Sequence, residues 1–171
     1  MAKSITDVFG RTYDEAVYLE GEADGDITPG EILERTGTNA DGEPTFGAVS
    51  GEDKLGPSVL VACVPSTPPQ QDTSDTDPVD QTIADGTLVE VRVVQPGETI
   101  QNALLANGND LTAGSANVSV GDPVTTAADG GVKSEGVAGA IFARFTEAFD
   151  NSTGQGSAPP GDRARVDIEV I

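Results

Sequence analysis

Charged and apolar residues alternate without a break through Arg163-Ala164-Arg165-Val166-Asp167-Ile168-Glu169-Val170. A period of two places Val166, Ile168 and Val170 on one buried face of a strand and the charges on the other. Residues 88–94 behave similarly, with Val89, Val91 and Val93 sharing a face and Glu90 and Arg92 opposite. Ile141, Ala143 and Phe145 form a third row. Val59-Leu60-Val61-Ala62-Cys63-Val64 is apolar on both parities, the mark of a central strand covered on two sides. Weaker strands are expected at 16–20, 31–36, 45–49, 116–120, 123–126 and 131–133. Asp41-Gly42 and Asp129-Gly130 are turn signals between them.

One stretch breaks this rhythm. Ile100, Ala103 and Leu104 fall at helical spacing behind Thr99, a good cap, and ahead of Asn107-Gly108, a good stop. It predicts one short helix. Residues 65–82, rich in Pro, Gln and Asp, read as a polar excursion, and 153–161 as a loop before the last strand. The expected fold is therefore all-β, a β-barrel or β-tulip-like sandwich with one short helix. An arm over 1–20 would precede a β domain over 21–171, which two lobes, 21–64 and 86–171, could make up. Ile27-Thr28-Pro29-Gly30-Glu31-Ile32 echoes Val118-Ser119-Val120-Gly121-Asp122-Pro123-Val124. Duplication and recurrent hairpin chemistry explain that echo equally well.

Composition changes the picture at the surface. The 171 residues carry 29 acids and 9 bases, a net charge of −20. Residues 1–85 hold 18 acids and 4 bases (−14) and the rest 11 and 5 (−6), so the excess is not confined to a tail. Such a skin repels phosphate backbones and anionic membranes, which argues against nucleic-acid and membrane partners. It also destabilises a compact state by self-repulsion in dilute buffer. At molar salt the Debye length is about 3 Å and that penalty fades. Three lysines against abundant, evenly spread Asp therefore favour a protein adapted to brine over an acidic mesophilic one. No stretch approaches the roughly 18 apolar residues of a membrane span, and the N-terminus has no apolar signal core, so a soluble protein made in the cytoplasm is expected.

Candidate chemistry is sparse. There is no histidine, which closes the Ser–His and Cys–His routes and removes the commonest metal ligand. The single cysteine, Cys63, can form neither an intrachain disulfide nor a cysteine zinc cluster. Gly130-Gly131-Val132-Lys133-Ser134 lacks the glycine that a phosphate loop needs before its lysine. Asp72, Asp75, Asp77 and Asp80 lack the spacing of a calcium loop and read as a solvated face. Neither a cofactor, a metal site nor a catalytic residue is expected. Two sequons, at Asn117 and Asn151, are short enough to arise by chance. The aromatics are more informative. Phe46 and one of Phe142 and Phe145 suit the core, whereas Phe9, Tyr13 and Tyr18 lie in the N-terminal segment, where they would anchor a partner.

Three phrases of the C-terminal half recur in this order in a known class. They are Val93-Val94-Gln95-Pro96-Gly97-Glu98-Thr99-Ile100-Gln101-Asn102-Ala103-Leu104-Leu105; Leu111-Thr112-Ala113-Gly114 with Gly121-Asp122-Pro123-Val124; and Ala143-Arg144-Phe145-Thr146-Glu147-Ala148-Phe149-Asp150, closing on residues 163–170. The arrangement resembles head decoration or capsid-stabilising proteins of tailed viruses, notably haloarchaeal ones. The likeness covers about residues 86–171. It implies a non-enzymatic β subunit on the outside of an icosahedral head. There it would bind the major capsid protein, commonly as a homotrimer, with residues 1–20 touching capsid or a sister subunit. A tail or vertex module binding host glycans is the rival function, and an enzyme using a carboxylate pair a third.

Overall fold

A computed structural model describes residues 17–51, 55, 58–64, 81–106, 118–127, 129–134, 141–148 and 165–171. These form ten strands: β1 (Val17–Ala23), β2 (Ile32–Thr38), β3 (Pro44–Ala48), β4 (Val59–Ala62), β5 (Leu88–Val94), β6 (Thr99–Leu104), β7 (Pro123–Thr126), β8 (Val132–Ser134), β9 (Ala143–Phe145) and β10 (Arg165–Val170). The first five close into a barrel in the order β1-β3-β2-β4-β5, and the rest make a sheet in the order β6-β10-β9-β7-β8. A parallel bridge between Leu105 and Val132 draws the two edges of the second sheet together.

Strand parity explains the cores. In β4, Leu60 and Ala62 face the barrel interior with Ala23, Ile27, Leu33, Phe46, Val89 and Val91. Val59, Val61 and Cys63 face the other way, into a larger core shared with Ile100, Ala103, Phe145, Val166, Ile168 and Val170 of the second sheet. The doubly apolar run is thus covered on two sides. Main-chain bonds stitch the sheets as well. The N–H of Leu104 donates to the carbonyl of Gly30 at 3.1 Å and that of Ile32 to Gly130 at 2.7 Å.

The predicted short helix is replaced by β6, and a bulge is the reason. Ala103 pairs with Val166 and Ile100 with Ile168, so two residues of β6 oppose the single Asp167 of β10. Asn102 occupies the extra position at φ 59°, a left-handed conformation that Asn tolerates better than most residues, and its N–H donates to Asp167 Oδ1 at 3.0 Å. The inserted residue shifts the buried positions from i, i+2 to i, i+3, which reads as helical spacing. Asn102→Gly should be nearly neutral and Asn102→Val should cost about 1–2 kcal/mol, measured by urea unfolding.

The face expected for β5 also needs correction. Val89 and Val91 are buried as expected, but Val93 is only half-buried and Arg92 is fully buried. At that end of the strand the second sheet covers the parity that carries Arg92 and Val94. Several other expectations are met among the described residues. Residues 17–20 of the strand expected at 16–20 lie in β1, 123–126 is β7, and both Asp-Gly turns place their glycines at positive φ (86° and 69°). Of the strand expected at 116–120, residues 118–120 hold a buried Val118 and then enter a turn.

The echo between the two halves is a turn. Thr28-Pro29-Gly30-Glu31, Gln95-Pro96-Gly97-Glu98 and Ser119-Val120-Gly121-Asp122 each close with the acid's N–H on the first carbonyl, at 3.0–3.1 Å, with the glycine at φ 91°, 87° and 88°. This is type II geometry, which needs φ > 0 at the third residue. In the second and third copies the acid's carboxylate also accepts the first residue's N–H at 2.8 Å.

Cys63 is buried, and burial, reinforced by the negative charge of Glu90, pushes its thiol up to about 12 from 9.0. A thiol-specific reagent at pH 8 should leave it untouched in the folded protein and label it on denaturation. A raised folded-state value makes its contribution to stability constant below pH 9, with a loss as the pH climbs from 9 towards 12. Cys63→Val should flatten that alkaline decline in a melting series.

Candidate functional site

Three consecutive apolar residues are exposed at one end of β1, while Leu88, Val120 and Ile171 are exposed elsewhere. Val17 is 46 % exposed and Tyr18 and Leu19 38 % each, in a strand whose later residues Gly21 and Ala23 are buried. Cross-strand register shows how this arises. Leu33 pairs with Leu60, Leu60 with Val93, and Val93 with Val17, so one row of apolar side chains runs across four strands. Its members pass from fully buried Leu33, through half-buried Leu60 and Val93, to exposed Val17. Ala62, Val91 and Leu19 form the next row. The interior face of the barrel emerges to solvent along these rows.

The backbone at this end has an open side. β1 pairs with β5 over residues 17–22 but with β3 only at Glu22 and Ala23. The N–H of Ala23 donates towards β5, to Thr87 O, and that of Asp24 towards β3, to Phe46 O, both at 2.8 Å. Alternation then turns the N–H and C=O of Tyr18 and Glu20 to the β3 side. β3 begins at Pro44, level with Gly21, so no described strand lies beside Tyr18 and Glu20.

On the outer face of this edge sits a small electrostatic cluster. Tyr18 and Arg92 are directly opposite across β1 and β5, and the guanidinium carbon lies 5.8 Å from the ring centroid. Beneath the ring, Arg92 Nη2 donates to Glu98 Oε1 at 2.6 Å, with side-chain exposures of 0 % and 6 %. Partial burial raises the Tyr18 phenol above its ordinary value, against the lowering pull of Arg92. Tyr18 thus holds the lid over a buried ion pair while its outer surface stays accessible. Glu20 is exposed and Glu22 and Glu90 are half-buried nearby, so acids flank the apolar rows.

Of the three aromatics that the sequence points to, Tyr18 lies on this edge, whereas Phe9 and Tyr13 lie outside the described residues. So do Asp72, Asp75, Asp77, Asp80, Asn117 and Asn151. Sequence reasoning missed Val17 and Leu19, because apolar residues in a strand pattern read as core. It also missed the Arg92–Glu98 pair; an arginine between two valines of one strand, four residues before a Pro-Gly-Glu turn, was the available signal. Among the described residues, no three of Cys, Asp and Glu are grouped so as to hold a metal ion.

No protein-family model and no curated protein matches the sequence. Among solved structures, the chain is similar to the crystal structure of the head fiber gp8.5 N base in bacteriophage phi29. The TM-score is 0.54 at 14 % identity, over 92 % of this chain and 95 % of that one. At that identity the likeness to the phage head-fibre base is one of fold.

Proposed function

We propose that this chain is a structural protein of a tailed-virus head, bound to the outside of the shell through the major capsid protein. The observation that carries the reading is the near-complete fold match to a phage head-fibre base. The ordered phrases of the C-terminal half support it independently. A set of apolar residues exposed on a strand edge, beside an otherwise carboxylate-rich surface, is what a protein that works by contact requires. Homotrimers are the expected assembly, since closed symmetry repeats one small interface around an axis. The acidic composition further points to a virus of a halophilic archaeal host.

Mass spectrometry of purified virions should find the chain in the head fraction, at a copy number matching a repeated lattice position. Its absence, or its presence in tails alone, would overturn the reading. The halophilic part is tested separately. The melting temperature should climb steadily between dilute buffer and molar KCl, as screening removes the self-repulsion of a −20 charge. A melting temperature independent of salt would contradict it. Tyr18→Ala should weaken attachment to heads by about tenfold or more, read by co-sedimentation, as loss of an aromatic anchor does.

A further inference from the structure

We propose that the open edge of β1 at Tyr18–Glu20 accepts an extended strand from a partner protein, one that alternates apolar and basic residues. On the reading above, that strand belongs to the capsid protein. Three observations converge here. The main-chain groups of Tyr18 and Glu20 face away from β5, on a side where β3 has not begun. These are the donors and acceptors through which a sheet takes up a further strand.

Side-chain pairing then fixes the chemistry of the incomer. On one face its residues would lie beside Val17 and Leu19, extending the apolar rows that already cross β4, β5 and β1. On the other face they would lie beside Tyr18 and Glu20, with Glu90 one strand further on. Apolar side chains suit the first face and Lys or Arg the second, because opposite charges across a strand pair stabilise and like charges destabilise. A second copy of this chain is a poor occupant by the same rule. Its own open edge carries Glu20, so two such edges would set like charges beside each other.

The test uses the full-length protein in molar KCl, where diffuse attraction of any cation is screened. The probe is an end-blocked peptide of about eight residues alternating Val and Lys, long enough to cover the edge. It should bind saturably and slow hydrogen exchange at the Tyr18 and Glu20 amides, and a Val–Glu peptide should not. Glu20→Pro removes one outward-facing donor without touching the β1–β5 ladder, a position where proline is tolerated. It should weaken the Val–Lys peptide about five- to tenfold, while Glu20→Thr keeps the donor but loses the charge and should bind between wild type and Glu20→Pro.

Equal binding of the peptide by Glu20→Pro, protection at other amides, or equal binding of the Val–Glu peptide would overturn the proposal. So would self-association abolished by Glu20→Pro, which would make a second copy the occupant. A parallel assay adds wild type and Glu20→Pro to heads lacking the protein. If both attach equally, the edge proposal fails and the head reading stands. If wild type does not attach while the peptide results hold, the head reading fails and the strand-accepting edge stands.

Discussion

Glu98→Ala should destabilise the protein by about 3–5 kcal/mol, because it removes the carboxylate that faces the Arg92 guanidinium in a site with no exposure. The same change frees the N–H of Gln95, which Glu98 Oε2 accepts at 2.8 Å. Both losses fall on the turn that carries the chain from β5 into β6. The pair itself is another matter: two buried charges attract strongly but give up hydration, so removing both costs far less than removing one. Arg92→Met with Glu98→Gln keeps an acceptor for Gln95 and should recover most of the loss. Urea unfolding of the two singles and the double, in molar salt, checks this directly. A double variant as unstable as Glu98→Ala would mean that the attraction itself, not the desolvated remainder, dominates.

The second large effect lies at the barrel seam. A Cβ on Gly21 would stand 2.3 Å from the carbonyl oxygen of Pro44 and 2.7 Å from the ring of Phe46. The ring can shift; a main-chain carbonyl on β3 cannot shift without moving the strand. Because β1 and β3 share only two register pairs, Gly21→Ala should push the strands apart and cost about 3 kcal/mol or more. Hydrogen exchange at the Asp24 amide, which donates to Phe46 O, should accelerate with it. Combining Gly21→Ala with Phe46→Leu should be less costly than the sum of the singles, since the ring accounts for part of the clash. Strict additivity would locate the whole effect at Pro44.

How much of this was legible depended on whether local pattern and tertiary cover agreed. In β10 they do: Val166, Ile168 and Val170 alternate with charged or polar residues, and they are buried at 1 %, 0 % and 3 %. Phe46 was likewise readable as core, at 1 %, whereas the pattern offered Phe142 or Phe145 and the structure buries both, at 7 % and 1 %. The pattern misled where one residue altered the count. The bulge at Asn102 converted a strand's period into a helix's, and nothing short of the pairing with β10 reveals the insertion. It misled again at Arg92, whose polarity says outside; a tyrosine ring and a second sheet cover it. Tyr18 was legible as a candidate because its segment precedes the regular pattern. Val17 and Leu19 were not, since exposure of a barrel's interior face at one rim depends on where β3 starts.

The main-chain stitches between barrel and second sheet set how the molecule comes apart. Ile32 and Leu104 each complete a bond with a residue outside their own sheet, and the larger core draws side chains from both. Neither half can shed the other without baring apolar surface and orphaning amides at once. Calorimetry should therefore record one cooperative transition, with van't Hoff and calorimetric enthalpies equal. Fragments severed between Val94 and Thr99 should be unstructured alone and should regain structure only when mixed.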